Sequence, residues 1–413
     1  VYFSTILGTS VLKIDNLPIT QFYRFYVDPQ NGRKIYGGTQ DNSTTRTTTG
    51  KLNDWEIIYG GDGFQPLVDP NNSNIIFALS QFGNLGLSTN NGASFVNATG
   101  GITSTDRKNW DTPIVFDPQD SRTLYYGTQR VWKTTNRTVS WTPISSDLTN
   151  GFGGGNLSFG TITSLDVSPL DSDFILAGTD DGNVWVSKDG GANWSQVSAT
   201  LPNLWTTKVL ADRNDLNTIY VTFSGYRYGD DLGHVFKSED AGMTWEDIGS
   251  DLPDIPVNDI VKDRNDHLYL ATDVGVFFSD DDGESWEPLG ENMPPVVVTD
   301  LHIHEAEELL YAATYGRSAY KADISQLVLS TPTTSVEEIQ VYPNPSTESI
   351  TFSGATPLGK SKVVFYDRLG KVVDQREISE LKNTLDVSHL SQGVYYLKIL
   401  GDKRNFVQKL ILK

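Results

Sequence analysis

The 413-residue sequence contains no cysteine, which excludes disulfides and thiolate metal sites and leaves the redox compartment unread. No apolar run approaches the roughly 18 residues that a membrane-spanning helix needs. Basic residues are few, 32 against 52 acidic ones, and the net charge of −20 argues against a nucleic-acid backbone as partner. An acidic surface of this kind serves solubility. No signal peptide stands at residue 1 and Val1 is not a natural start, so the sequence reads as a piece of a longer chain. What the sequence has in quantity is 37 Gly and 18 Pro, with 9 Trp and 18 Tyr. That composition suits a globular protein with many turns.

One octet recurs. Ser187, Asp189, Gly191 and Trp194 share the frame Ser-x-Asp-x-Gly-x-x-Trp with Ser238, Asp240, Gly242 and Trp245, and with Ser279, Asp281, Gly283 and Trp286. Each copy follows a short apolar run and precedes another strand-like segment, which places it on the turn of a β-hairpin. The Asp can accept hydrogen bonds from amides of its own turn, Gly supplies a positive φ, and Trp buries an apolar face between neighbouring units. Weaker copies keep Ser88, Asn90, Gly92 and Phe95, or Thr134, Asn136 and Trp141, and one ending at Trp55 is barely legible. The aromatic position returns about every 40 to 53 residues, a period expected of propeller blades. Seven openings of the type Val27-Asp28-Pro29 can be counted, with weaker versions at Ala211-Asp212-Arg213, Lys262-Asp263-Arg264 and Leu301-His302.

These octets identify the Asp-box, and residues 1–321 resemble the Asp-box propellers of the sortilin and xyloglucanase type, often labelled glycosyl hydrolase-like. The resemblance implies an all-β fold, an Asp-box β-propeller of about seven blades that could be part of a larger array. It fixes the fold more than the activity. Val1 to Ser4, Gly8 and Leu17-Pro18 align with Val276 to Ser279, Gly283 and Met293-Pro294, so the propeller is expected to begin mid-blade, with Val11 in the Trp286 position. Residues 322–338 have the Ser/Thr/Pro content of a linker.

Residues 339–413 abandon the repeat for six or seven short alternating strands, which suit a small β-sandwich. Val341-Tyr342-Pro343-Asn344-Pro345, the turn around Gly370, the stretch through Gly393-Val394-Tyr395 and the closing Lys409 to Lys413 resemble the type A C-terminal sorting domain of the type IX secretion system. That resemblance implies an Ig-like sandwich, the outer-membrane translocon of a Gram-negative bacterium as partner, and a secreted or cell-surface location. Bottom-up, the tail has one histidine, His389, and no converging carboxylates, as befits an address.

Chemistry in the propeller is best sought among residues the repeat does not require. Glycoside hydrolysis needs two facing carboxyl groups, and Asp41 and Asp62 lie in Gly-rich turns of one blade; capping of those same turns is the competing account. A sialidase reading lacks the Arg-Ile-Pro opening. Arg107, Arg130, Arg227 and Arg317 either form a basic spot or pack across blades. Trp110, Trp205 and Tyr226 sit outside every Asp-box, and aromatic faces bind sugar rings and peptides alike. The partner is therefore expected to be an extracellular carbohydrate or protein. His302 and His304, two apart, share one side of a strand that is expected at the surface. No metal site or cofactor is assigned; Asp280-Asp281-Asp282-Gly283 lacks the later Glu of an EF-hand, and calcium in another loop is left open.

Overall fold

The computed structural model describes residues 2–4, 11–13, 19–153, 159–230, 232–290, 292–325, 327, 340–353, 361–368, 370–378, 382–400 and 405–413. Seven antiparallel meanders follow one another from Phe22 to Asp323. In blade 1 the strands are Phe22–Val27, Ile35–Thr39, Ser43–Thr47 and Glu56–Tyr59. Blades 2 to 6 repeat this four-stranded order, and blade 7 has three strands, Val298–His304, Leu309–Thr314 and Ala319–Asp323. The last of these passes the expected boundary at residue 321, and Ile324 behind it is buried in the core of blades 6 and 7.

The first strand of each blade faces the axis, and the ring closes between blades 7 and 1. Thr299 Oγ1 donates to Phe22 O at 3.0 Å, the Phe25 amide to Asp300 Oδ2 at 2.8 Å, and the Ser318 amide to Thr20 O at 3.0 Å. The second strands are apolar and buried along most of their length, wholly so in Leu124–Gly127 and Leu268–Thr272, because both faces of each sheet are covered by neighbouring blades. The resulting cores straddle blades: Phe77 and Leu85 of blade 2 share one with Leu124, Tyr126 and Trp141 of blade 3.

Each complete octet closes its own turn, and its Trp makes a further contact. In blade 4, Ser187 Oγ lies 3.0 Å from Asp189 Oδ1 and accepts from the Gly191 amide at 2.9 Å, while Asp189 Oδ1 accepts from the Asn193 amide at 2.8 Å. Gly191 has φ +94°. The Trp indole reaches into the preceding blade. Trp141, Trp194, Trp245 and Trp286 Nε1 donate to the carbonyls of Ala98, Ile144, Val197 and Ile248 at 2.6–2.9 Å.

At the start, Tyr2–Ser4 and Val11–Lys13 pair antiparallel, as a hairpin would. Gly8, Leu17 and Pro18 lie outside the described residues, as do 326 and 328–338 of the expected linker and residue 339 of the expected sandwich.

Residues 340–413 form a sandwich of a three-stranded sheet (Gln340–Tyr342, Ser349–Ser353, Lys382–Asp386) and a four-stranded one (Val372–Ile378, Ser361–Asp367, Gly393–Leu400, Asn405–Leu412). Its core holds Ile350, Phe352, Val363, Phe365, Leu397 and Leu410. The motif Pro343-Asn344-Pro345 braces the terminal strand: Asn344 Nδ2 donates to Lys409 O at 2.7 Å and its Oδ1 accepts from the Ile411 amide at 2.9 Å. Gly370, at φ +69°, closes a turn whose Asp367 Oδ1 accepts from the Lys371 amide. The sandwich packs where blades 5 and 6 meet, and Val407 joins the cluster of Ile248, Leu252 and Trp286 there. Lys398 is buried there, and its Nζ donates to Gly290 O at 2.5 Å.

Candidate functional site

A meander places the turns after its first and third strands at one end of the blade. Those turns hold the Asp-Pro openings and the Asp-boxes. The connections after second strands, and those between blades, emerge at the opposite end. Among the described propeller residues the exposed aromatic side chains are Phe82, Trp110, Phe152, Tyr226, Tyr228 and Tyr315, and all six lie on this opposite face. Apolar rings cost free energy when left in water, so their confinement to one face makes it the candidate surface for contact with another molecule.

The rings cluster on two sides of the axis. On one side Tyr23 stacks on Phe64 at 4.8 Å, and Trp110 meets Phe64 and Phe82 edge-on at 6.0 and 5.0 Å. Phe82 holds a left-handed φ of +55°, a conformation a bulky side chain adopts only under constraint. On the other side the Arg227 guanidinium lies 4.5 Å from the Trp205 ring and 5.7 Å from that of Phe159, a cation–π pair.

Between them is a pocket of about 220 Å³ at the mouth of the axial channel. Its wall arises from a device repeated in five blades. The register of the first strand against the second slips by one residue after Phe22, Ile162, Thr206, Val257 and Val298. The extra residues are Tyr23, Thr163, Thr207, Asn258 and Thr299, all of which line the pocket. A bulge of this kind re-aims one side chain without ending the strand. Four of the five tie the ring together. Thr163, Thr207, Asn258 and Thr299 donate to the carbonyls of Thr206, Val257, Val298 and Phe22 in the next blade at 2.6–3.0 Å.

The residues after each bulge form a second, deeper ring. Arg24 Nε pairs with Asp111 at 2.7 Å and its Nη1 with Asp300 at 3.3 Å, while Lys208 pairs with Asp259 at 2.9 Å. Asp259 and Asp300 also accept the Leu301 and Phe25 amides. Burial and then the nearby Asp259 push Asp300 up to about 7, against the pull of Arg24 and Lys208. Burial acts to lower Arg24, but Asp111 and Asp300 outweigh it and its pKa is raised. Burial, then Tyr315, pushes the Tyr23 phenol up to about 12, so at neutral pH it is an uncharged ring.

The remaining sequence candidates fall as follows. Asp41 and Asp62 are brought together on the face opposite the Asp-boxes, but Asp62 caps the turn of Asp41 rather than its own. It accepts the Asp41 amide on Oδ1 and Gln81 Nε2 on Oδ2 at 3.1 Å. The glycines around them serve close backbone packing: a Cβ on Gly38 would fall 2.0 Å from Phe64 O, and one on Gly63 2.5 Å from Ser43 O. Arg130 is held by Asp106 at 3.2 Å, and Arg107 crosses to Gly160 O and Asp147. Arg317 follows Tyr315 in the same loop, its amide bonded to Thr314 Oγ1.

His302 and His304 are not on a surface strand. They lie on the first strand of blade 7, with His304 buried and His302 packed on Tyr26 at 4.6 Å. Ring closure is the reason, because the first strand of blade 1 packs against this strand and covers it. Burial, followed by His304, lowers His302 to about 4. Among the described residues no group of three or more His, Cys, Asp or Glu is placed to hold a metal ion.

The bulge residues were missed in the sequence. Their signal is a polar pair inside an apolar strand, as in Val257-Asn258-Asp259-Ile260 and Val298-Thr299-Asp300-Leu301.

Comparison with known proteins agrees with this architecture. Residues 340–413 match the family described as the secretion system C-terminal sorting domain. A xyloglucanase of Hypocrea jecorina is 27% identical over 253 residues, 55% of this chain and 26% of the relative. Among solved structures, the GH74 xyloglucanase of Xanthomonas campestris superposes with a TM-score of 0.60 at 15% identity, covering 82% of this chain and 59% of that one. The extracellular domain of a putative hybrid two-component system of B. thetaiotaomicron gives 0.59 at 11% identity, covering 97% and 56%. These likenesses show the propeller fold. The chain thus spans about a quarter of the curated relative and under two thirds of these two solved structures.

Proposed function

We propose that this chain, with its type IX secretion sorting domain at residues 340–413, is an exported propeller that binds extracellular glycan through the loop face opposite the Asp-boxes. The observation that carries the reading is the confinement of every exposed aromatic side chain of the described propeller to that face. Sugar rings stack their C–H faces on aromatic rings, and the amide and hydroxyl groups of the pocket match a polyol. The sorting domain delivers the propeller to the medium or the outer cell surface. A screen of soluble polysaccharides, with xyloglucan, β-glucan, galactomannan and pectin among them, tests it. Binding that Trp110→Ala weakens by about tenfold or more is expected; no binding to any of them would sink the reading.

A second reading, glycoside hydrolysis by Asp41 and Asp62, is favoured by their adjacency on the same face. It expects release of reducing ends from the bound polysaccharide and a fall of about 100-fold or more in Asp62→Asn. Against it, both oxygens of Asp62 already accept hydrogen bonds from the protein.

A further inference from the structure

The bulge ring gives the glycan face a direction. At the base of the pocket, which Arg24 and Asp111 help to line, the Arg24 ion pairs and the Lys208–Asp259 pair lie across the channel, and the separate space among these charged groups measures only about 50 Å³. The pocket is therefore entered from the loop face and closed at its base. At about 220 Å³ it is smaller than the roughly 300–1,000 Å³ clefts that hold drug-sized ligands, and has room for one ring-sized group.

Its polar lining is biased. The hydroxyls of Thr163, Thr207 and Thr299 spend their protons on carbonyls of the next blade. The Asn258 amide nitrogen is likewise engaged, by Asp273 Oδ1 and Val298 O at 2.9 Å each. A hydroxyl that donates still offers lone pairs. Apart from Asn109 and the Arg24–Asp111 pair, which also line it, the wall thus offers acceptors to the cavity, between the apolar faces of Tyr23 and Trp205. At the base two cations, Arg24 and Lys208, face three carboxylates, Asp111, Asp259 and Asp300, an excess of acid that disfavours an anionic ligand, and the acceptor-lined wall suits an uncharged group rich in O–H donors.

Resting on the glycan-binding reading, we propose that this axial pocket holds the terminal sugar residue of a glycan chain, whose remaining residues leave across the aromatic loops. The protein then recognises chain ends rather than chain interiors. Tyr23 and Trp205 provide the stacking walls, and Thr163, Thr207, Asn258 and Thr299 accept from the sugar hydroxyls.

The four polysaccharides named above are used intact and after partial endo-hydrolysis, as competitors at equal mass against the immobilised intact polymer. End recognition expects the hydrolysate of the bound polymer to compete better, in proportion to the ends created. Equal or weaker competition by the hydrolysate overturns the inference and leaves the glycan-binding reading standing, whereas absence of binding to all four removes both. Val297→Phe, which projects a ring into the pocket without removing any side-chain hydrogen bond, is expected to weaken binding about tenfold or more with an unchanged melting temperature. A folded Val297→Phe protein that binds like the parent also overturns it. The competition assay needs only the parent protein, so a misfolded variant leaves the test intact.

Discussion

At Asp300 a carboxylate only 5% exposed accepts the Phe25 amide and faces Arg24, Lys208 and Asp259. Its folded-state pKa of about 7 lies above the ordinary carboxylate value near 3.9, so the folded protein holds this proton more tightly than the unfolded chain. The stabilisation from that proton is fully present below about pH 4 and is lost as pH rises through about 7. Asp300→Asn keeps an acceptor for the Phe25 amide and removes the titration. Exposed carboxylates such as Asp240, lowered to about 2 by hydrogen bonds from the Thr244 side chain and amide, act in the opposite sense, so the informative quantity is the difference between variant and parent. Relative to the parent, the variant should gain stability between pH 4 and 7, on the order of 1–4 kcal/mol. Urea unfolding at several pH values measures this, and parallel pH profiles for the two proteins would remove Asp300 as the titrating group.

The Asp-box is the element that turns local chemistry into blade-to-blade adhesion. Gly242 has φ +92°, and a Cβ there would fall 2.7 Å from the Val197 side chain of the preceding blade. Gly242→Ala is therefore strained in backbone and in packing, and should lower stability by about 2–3 kcal/mol. Trp245→Phe leaves the Val197 carbonyl without its 2.8 Å indole donor and should cost about 1–3 kcal/mol. Ala241, one residue earlier, already holds φ +58°, so Ala241→Gly should be neutral or slightly stabilising. Thermal or urea unfolding of the three variants checks the order, and a Gly242→Ala protein as stable as Ala241→Gly would refute it.

This contrast also explains what could be read from the sequence. The octet and the Asp-Pro turns are closed by hydrogen bonds within five residues, as between Ser187 and Gly191 or Asp28 and Gln30, so spacing alone reveals them. Trp110, Trp205 and Arg227 were also legible, as residues that no repeat requires. The bulge ring was not. Its members are as far apart as Tyr23 and Thr299, and they converge only because a one-residue slip in strand register recurs around a closed circle. The histidine pair was misplaced for a related reason, since an edge blade and an inner strand look alike without ring closure.

For the whole molecule, the sorting sandwich is a docked domain as well as an address. Val407 enters the hydrophobic cluster shared by blades 5 and 6, and Lys398, only 3% exposed, caps the carbonyl of Gly290. A Cβ on Gly370 would lie 2.6 Å from Pro295 O, so that turn also sits closely on the propeller. Burying a lysine is costly unless its ammonium is hydrogen-bonded, and here the propeller supplies the acceptor. Cleavage at a protease site inserted within residues 328–339 should therefore leave the two parts associated on gel filtration. Val407→Asp places a charge in the apolar contact and should separate them after the same cleavage, whereas the uncleaved variant should still elute as one chain. Co-elution of the cleaved Val407→Asp protein would show that this contact does not hold the domains. Separation of the cleaved parent would show that the two are joined only through the chain. Export provides a second readout of the same domain. Removal of residues 340–413 should leave the protein in the periplasm, and Val407→Asp, whose terminal strand keeps its Asn344 braces, should still be exported. Docking and addressing are then separable properties of one sandwich, the first carried by the face of its four-stranded sheet and the second by the motif that braces its last strand.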